Sequence, residues 1–338
     1  MVKTFTVIFE EAKKVILKEE FPSPTGYGQI LVRTLKTAVS TGTELTILSG
    51  DFPPDSAWSN YARYPFKAGY SNVGEVVEIG EGVEGWSLGD RVIGSGFHSH
   101  YVIYDVRQDF VLHVPEDISD EAACTFSLGL IALNGVRRAR LEIGESVVVF
   151  GLGVIGQLVV QLSKLDGSRP IIGVDLFKIR RKLALKFGAD LTVDGEASDI
   201  VRQVKNIIKG RMADVVFEVT GNPEIIPREM RLLKKQGRIV ILSSPKQKTS
   251  FDFHDFCNSP SYTIIGAHVN SHPSFETPYN QWTKERNAEF YFELILRGEL
   301  HLEELITHRY SWRKAPEVYK MLLKNRGNVG VLIFDWRS

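Results

Sequence analysis

Short alternating or β-branched runs dominate the first third of the chain. Gln29 to Leu35 and Val73 to Ile79 set apolar against polar positions between clusters of Gly, Pro and Asp, the pattern of strands. Helical periods are scarce before about residue 120, and beyond it the pattern changes. Ser146 to Phe150, Pro170 to Asp175, Leu191 to Val193, Asp214 to Glu218 and Arg238 to Leu242 are short, almost wholly apolar runs. Between them lie the amphipathic segments Gln157 to Lys164, Lys178 to Phe187, Ile200 to Lys209 and Glu224 to Lys234. Strands apolar on both faces that alternate with helices predict a doubly wound parallel sheet, because parallel neighbours need helical crossovers. After about residue 270 a loop rich in Pro, Asn and aromatics precedes a helix over Lys284 to Arg297. A strand-like Leu305 to Ser311, a helix over Ala315 to Lys324 and a last strand over Val329 to Trp336 follow. The expectation is an α/β chain: a β-rich domain over 1–125, a dinucleotide-binding domain over 126–268, and a return to the first domain over 269–338.

Composition narrows the function classes. The 338 residues carry 41 Lys+Arg and 41 Asp+Glu, with 43% apolar positions, the profile of an ordinary globular protein. A zero balance without a long basic run predicts neither a nucleic-acid nor a membrane partner, and leaves a small-molecule substrate. The first twenty residues interleave charges with apolar positions and do not resemble a signal peptide, so a cytoplasmic location is expected. The apolar stretch Val147 to Val160 is too short to cross a bilayer and is broken by glycines. Cys124 and Cys257 are the only cysteines, too few for a four-thiolate zinc site.

The central chemical motif follows the strand at Ser146 to Phe150. Gly151-Leu-Gly153-Val154-Ile155-Gly156 opens a helical segment, and an acid, Asp175, closes the next strand. Strand, glycine turn, helix and acid together form a dinucleotide fingerprint, whereas the glycines alone are weak evidence. Gly151 permits the tight turn, Gly153 lets the backbone approach a pyrophosphate, and Gly156 lets helix and strand pack closely. The N–H groups of Val154 and Ile155 face the phosphates from the first helical turn. Asp175 accepts from ribose hydroxyls and repels a 2′-phosphate, so NAD is the expected cofactor, with Arg180 reaching a ribose hydroxyl.

Several separate stretches resemble the medium-chain dehydrogenase/reductase superfamily: the run from Gly28 through Thr43-Glu44, Gly69-Tyr70-Ser71 and the following GEVVEIGEG, GLGVIG, VTGNPE, and ELITHRYSW. The resemblance covers nearly the whole chain, and its wording is most similar to a zinc-lacking branch containing bacteriochlorophyllide-type hydroxyethyl dehydrogenases and sugar-alcohol dehydrogenase relatives. It implies a GroES-like β-rich catalytic domain and a Rossmann domain, with substrate and nicotinamide meeting between them. It also implies cofactor contacts at Thr220, Leu242, Ser243 and Ala267, and a homodimer or homotetramer built through an edge strand near Tyr262 to Ile265.

Departures from the family pattern matter as much. Thr41 stands where zinc-dependent members have a cysteine ligand, Tyr70 where they have a histidine, and the third ligand falls near Phe126. The four-cysteine lobe expected after Gly89-Asp90-Arg91-Val92 is missing. The resemblance therefore implies that both zinc sites are lost, and no metal is expected. Without a Lewis acid the substrate oxygen needs other donors. Thr43 matches a proton-relay hydroxyl, Glu44 keeps the family's acid, Tyr70 offers a phenol, and His98 falls on a pocket-lining position; His98 with Tyr70 is the leading acid/base pair. His268 and Asn270, at the end of the last Rossmann strand, are expected to bind substrate with Trp58 of the aromatic loop Asp51 to Phe66, and a second aromatic loop, Ser271 to Lys284, borders the same cleft. The expected activity is zinc-independent, NAD-dependent interconversion of a secondary alcohol and ketone on a sugar, aminosugar or cyclitol. A zinc-free quinone or enoyl reductase and a non-catalytic NAD-binding redox sensor are the alternatives.

Overall fold

The computed structural model describes residues 3–338. Two compact units emerge, one comprising the chain up to Ser127 with Leu302–Ser338, the other Leu128–His301. In the first unit, strand Gln29–Val39 is central. One of its edges pairs in series with Tyr101–Asp105 and Val331–Asp335, and the other pairs with Asn72–Ile79. Because both faces are covered, all but one of the residues from Ile30 to Val39 are buried, where alternation had suggested a half-buried strand. Arg91–Gly94 and Val111–His113 extend this sheet on one side and Ile306–Ser311 on the other. A second, three-stranded sheet joins Lys14–Glu20, Thr4–Glu11 and Phe66–Lys67.

Between these sheets and helix Ala315–Lys324 lies a core of Phe9, Leu48, Trp312, Tyr319, Phe334 and Trp336. Helix Thr43–Ser49 buries Glu44, Leu45, Ile47 and Leu48 against it and stops at Gly50, whose φ of 66° favours glycine. The segment from Asp51 to Phe66, read as a loop, contains a short helix, Ala57–Tyr61, started by Ser56 accepting from Ser59 N.

The second unit holds six parallel strands among the described residues. Their order is Leu191–Asp194, Ile171–Asp175, Val147–Phe150, Ala213–Glu218, Leu233–Ile241, Thr263–Gly266. In sequence order this is 3-2-1-4-5-6, the doubly wound arrangement whose direction reverses beside the first strand and leaves a crevice at the carboxyl ends. No helix among the described residues is long and apolar enough to cross a membrane.

Three segments differ from the sequence pattern. Helix Phe126–Ala139 was not anticipated, and its glycines are contact points. A Cβ at Gly129 would strike the Tyr291 ring, and one at Gly135 would lie 2.6 Å from Leu242. The helix expected over Glu224 to Lys234 is only Ile226–Met230, since Leu233 already pairs with Ala213 and the chain bulges before Arg238 meets Val215. The return to the first unit begins at Leu302 instead of 269. Helix Lys284–Leu296 buries Asn287, Tyr291 and Phe292 within the second unit, with Arg137 Nε donating to Asn287 Oδ1 at 2.8 Å.

Candidate functional site

Glu44 lies on helix Thr43–Ser49 and is 1% exposed. Its Oε1 accepts from Ser40 N at 2.7 Å, while Oε2 accepts from Tyr319 Oη and lies 3.0 Å from His98 Nε2. With that oxygen acting as acceptor for both, the imidazole is the donor. His98 is wholly buried. The edge of Phe334 covers it at 5.4 Å, and a Cβ on Gly69 would come within 2.7 Å of its ring. Gly69, at φ 93°, is thus required both by its backbone and by its neighbour. Nδ1 of His98 has no hydrogen-bond partner among the described residues. His98 is therefore a buried support for Glu44.

Tyr319 completes this network and was missed from sequence. Its only signal is the helical spacing of Ala315, Val318, Tyr319 and Leu322, which reads as ordinary core. Burial, then the charge of Glu44, pushes the Tyr319 phenol well above its usual range, so it stays a donor.

Tyr70 and Thr43 form a second polar group on the same helix start. Tyr70 is half-buried, with the hydroxyls of Ser40 and Thr43 close enough to its phenol to act on it. Burial pushes its pKa up to about 12; the two hydroxyls pull the other way, and the charges of Glu44 and Tyr61 add to the rise. At neutral pH Tyr70 is a protonated phenol linked to two hydroxyls, able to donate to a substrate oxygen and to be resupplied.

The positions matching zinc ligands in the family pattern carry other chemistry. Thr41 O accepts from Arg326 Nη1 at 2.8 Å, and Phe126, 1% exposed, stacks on Phe110 at 5.6 Å. Ser71 Oγ donates to Cys124 O at 2.6 Å. A hydroxyl, a phenol and a phenyl ring make a poor zinc donor set. Among the described residues no group of three or more His, Cys, Asp or Glu side chains is disposed to hold a metal ion.

In the second unit the fingerprint residues meet at the carboxyl ends of the strands. Gly151 sits at φ 94°, a Cβ on Gly156 would collide with the Gly151 carbonyl, and a Cβ on Gly153 would meet nothing. These are the properties of a tight turn, a close helix–strand crossing and a backbone open to a ligand. Helix Val154–Leu165 starts at Gly153 with no side-chain cap, so the first-turn N–H groups of Val154 and Ile155 suit a pyrophosphate. Asp175 accepts from Leu152 N and Phe177 N, both at 2.8 Å, one on each oxygen. Each oxygen keeps a lone pair for a ribose hydroxyl. Arg180 Nη1 stands 3.7 Å from Asp175, while Arg181 is tied to Asp194 at 2.7 Å. The residues present thus fit a nicotinamide dinucleotide.

Thr220 and Ser243 serve differently from the sequence expectation. Thr220 donates from N at 2.7 Å and from Oγ1 at 2.6 Å to Glu218 Oε1, and Ser243 Oγ donates to Glu218 Oε2. Both hydroxyl protons are spent on this fully buried acid, so toward a cofactor these two hydroxyls act only as acceptors. Glu218 was missed, although an acid closing an apolar strand, as Asp175 does, is a readable signal. Leu242 N also bonds to the Glu218 carbonyl at 3.1 Å, and Ala267 N to Ile241 O at 3.0 Å, which fixes the last two strand ends. Glu229 is buried with both carboxyl oxygens unpartnered; burial and then Glu218 push it well above the carboxylate range, leaving it neutral.

His268 is exposed and its Nδ1 accepts from Asn270 N at 3.2 Å, capping the turn Val269–Ser271. Asn270 is exposed as well. Trp58 packs on the first unit's core and stacks with Phe52 at 6.4 Å, so part of its ring is structural.

Family comparison agrees with this geometry. Residues 26–116 match the family described as alcohol dehydrogenase GroES-like domain, and residues 154–285 match zinc-binding dehydrogenase. D-guloside 3-dehydrogenase of Escherichia coli (strain K12) is 30% identical over 256 residues, covering 75% of this chain and 73% of that protein. The chain belongs to the medium-chain alcohol dehydrogenase superfamily. As a member of this superfamily it is an alcohol or polyol dehydrogenase acting on CH–OH groups with an NAD(P) cofactor. L-threonine 3-dehydrogenase of Pyrococcus horikoshii is 26% identical over 94% of both chains. The fold matches 2R,3R-butanediol dehydrogenase of Bacillus subtilis with a TM-score of 0.80, at 22% identity over 98% of this chain and 99% of that one. The segment matched to zinc-binding dehydrogenase contains none of Thr41, Tyr70 and Phe126.

Proposed function

We propose that this superfamily member is a zinc-independent, NAD(H)-preferring dehydrogenase that interconverts a secondary alcohol and a ketone on a neutral sugar, aminosugar or cyclitol. The observation that carries the proposal is Tyr70, a phenol with the hydroxyls of Ser40 and Thr43 close by, at the position where the family pattern places a metal-binding histidine. Names of relatives that refer to a guloside and to butanediol agree with a polyhydroxylated substrate.

When bound, the nicotinamide supplies the hydride acceptor or donor at the carbinol carbon. Tyr70 Oη donates a hydrogen bond to the substrate oxygen, which stabilises developing alkoxide charge, and in ketone reduction it delivers the proton. The Ser40 and Thr43 hydroxyls return a proton to Tyr70. Glu44, held by His98 and Tyr319, fixes helix Thr43–Ser49 and so the direction of the Thr43 hydroxyl. Asp175 selects the ribose diol, and Arg181, engaged by Asp194, is not available to a 2′-phosphate. Oligomerisation through the exposed edge strand Thr263–Gly266 is part of the same proposal.

Sugars, aminosugars and cyclitols assayed with NAD⁺ and with NADP⁺ test the reading. At least one substrate is expected to turn over, with NADH binding roughly tenfold or more tighter than NADPH, equivalent to ~1.4 kcal/mol. Asp175→Ala narrows that gap. Equal coenzyme affinities in the unmodified protein, or no turnover across the panel, contradict the proposal.

A further inference from the structure

We propose that the first unit carries a second small-molecule site, a cleft of about 480 Å³ beside strand Thr4–Glu11 that takes a neutral polyhydroxylated ligand of hexose or hexitol size. The site shares no residue with the Tyr70 and Glu44 groups and does not depend on the reaction proposed above.

The floor is a row of buried hydroxyls. Thr4, Thr6 and Ser99 are 4%, 2% and 5% exposed, at positions where apolar side chains would give the sheet more stability. Thr6 Oγ1 lies 3.3 Å from Glu20 Oε2, which can only accept, and 2.9 Å from Ser99 Oγ, and Thr4 Oγ1 is 3.5 Å from Ser99 Oγ. Each hydroxyl has one proton. A chain from Thr4 to Ser99, from Ser99 to Thr6 and from Thr6 to Glu20 Oε2 uses all three. What the row offers the cleft is the unused lone pairs of its hydroxyl oxygens, which accept from a ligand hydroxyl.

The wall decides the charge of the ligand. Glu20 and Lys67 stand 3.2 Å apart and line the cleft together, so carboxylate and ammonium cancel. Burial raises the Glu20 pKa, but Lys67 and Lys18 outweigh it and hold the carboxyl below its usual range, so it is an ionised acceptor. A charged ligand would leave one member of the pair facing a like charge, at a desolvation cost. Hydroxyls, in contrast, donate to Glu20 and accept from Lys67. Phe21 and Phe97, 55% and 42% exposed, and Tyr101 complete the rim, and Leu31, Val102 and Ile103 line the interior. Aromatic faces that receive C–H surfaces, with a few convergent polar groups, match a sugar or sugar alcohol, and the volume is that of a small-molecule pocket.

Methyl-labelled full chain, free of coenzyme, gives a local readout through the Leu31, Val102 and Ile103 methyl signals. Titration with D-glucose and D-glucitol is expected to shift these signals saturably. In Phe21→Ala and Phe97→Ala the dissociation constant rises at least tenfold, with melting temperature and NADH affinity kept, and Tyr70→Phe retains the shifts. If Phe97→Ala lowers the melting temperature, Phe21→Ala alone decides, since its ring is the more exposed. Unmoved methyl signals, equal affinity in the variants, or tighter binding of D-glucuronate or D-glucosamine overturns the proposal.

Discussion

Replacing Tyr70 with Phe lowers turnover by roughly a hundredfold or more while leaving NADH affinity unchanged, because general acid–base groups contribute about 10²–10⁴ in rate. The substitution keeps the ring and removes only the phenolic hydroxyl beside Ser40 and Thr43. With the phenol pushed up to about 12, the protonated form prevails throughout the neutral range. Ketone reduction, which consumes that proton, is therefore nearly flat with pH from 6 to 9. Alcohol oxidation needs the deprotonated form, so it rises with pH across the same window, and Tyr70→Phe abolishes that rise. Steady-state kinetics in both directions check this. A Tyr70→Phe enzyme with turnover within threefold of the parent removes Tyr70 from the mechanism.

Glu44→Ala is expected to destabilise the first unit by ~3–5 kcal/mol, the usual consequence of removing one partner from a buried charged network. It leaves the His98 Nε2 and Tyr319 Oη donors buried without an acceptor and strips Ser40 N of its bond. The melting transition of the unit containing Trp312 and Trp336 then falls by roughly 10 °C, using about 2–4 °C per kcal/mol for a unit of this size. Glu44→Gln keeps an acceptor and loses less. Tryptophan fluorescence melts decide it: a shift below about 2 °C in Glu44→Ala would show that the network contributes little.

The difference between these two sites explains what the sequence made visible. Gly151, Gly153, Gly156 and Asp175 lie within one strand–helix–strand unit, so their backbone requirements are local and their spacing is diagnostic. Glu44, His98 and Tyr319 meet across separations of 54 and 275 residues, and no local period brings them together. His98 therefore read as a pocket residue, and Tyr319 as core. Helix Phe126–Ala139 escaped notice for a related reason: Gly129 and Gly135 are glycines because Tyr291 and Leu242, distant in sequence, press against them. Strand Gln29–Val39 gave its position through its pattern but not its burial, which the covering of both its faces imposes. Tyr70 was legible as a substitution at a metal-ligand position; its link to Ser40 and Thr43 required the fold.

Catalysis by hydroxyls in place of a metal is the central claim, and elemental analysis of the purified, catalytically active protein tests it most directly. The account predicts zinc far below one equivalent per chain, with turnover unaffected by prolonged dialysis against a strong chelator. About one tightly held zinc per chain, with activity lost on its removal and restored by zinc, would contradict it.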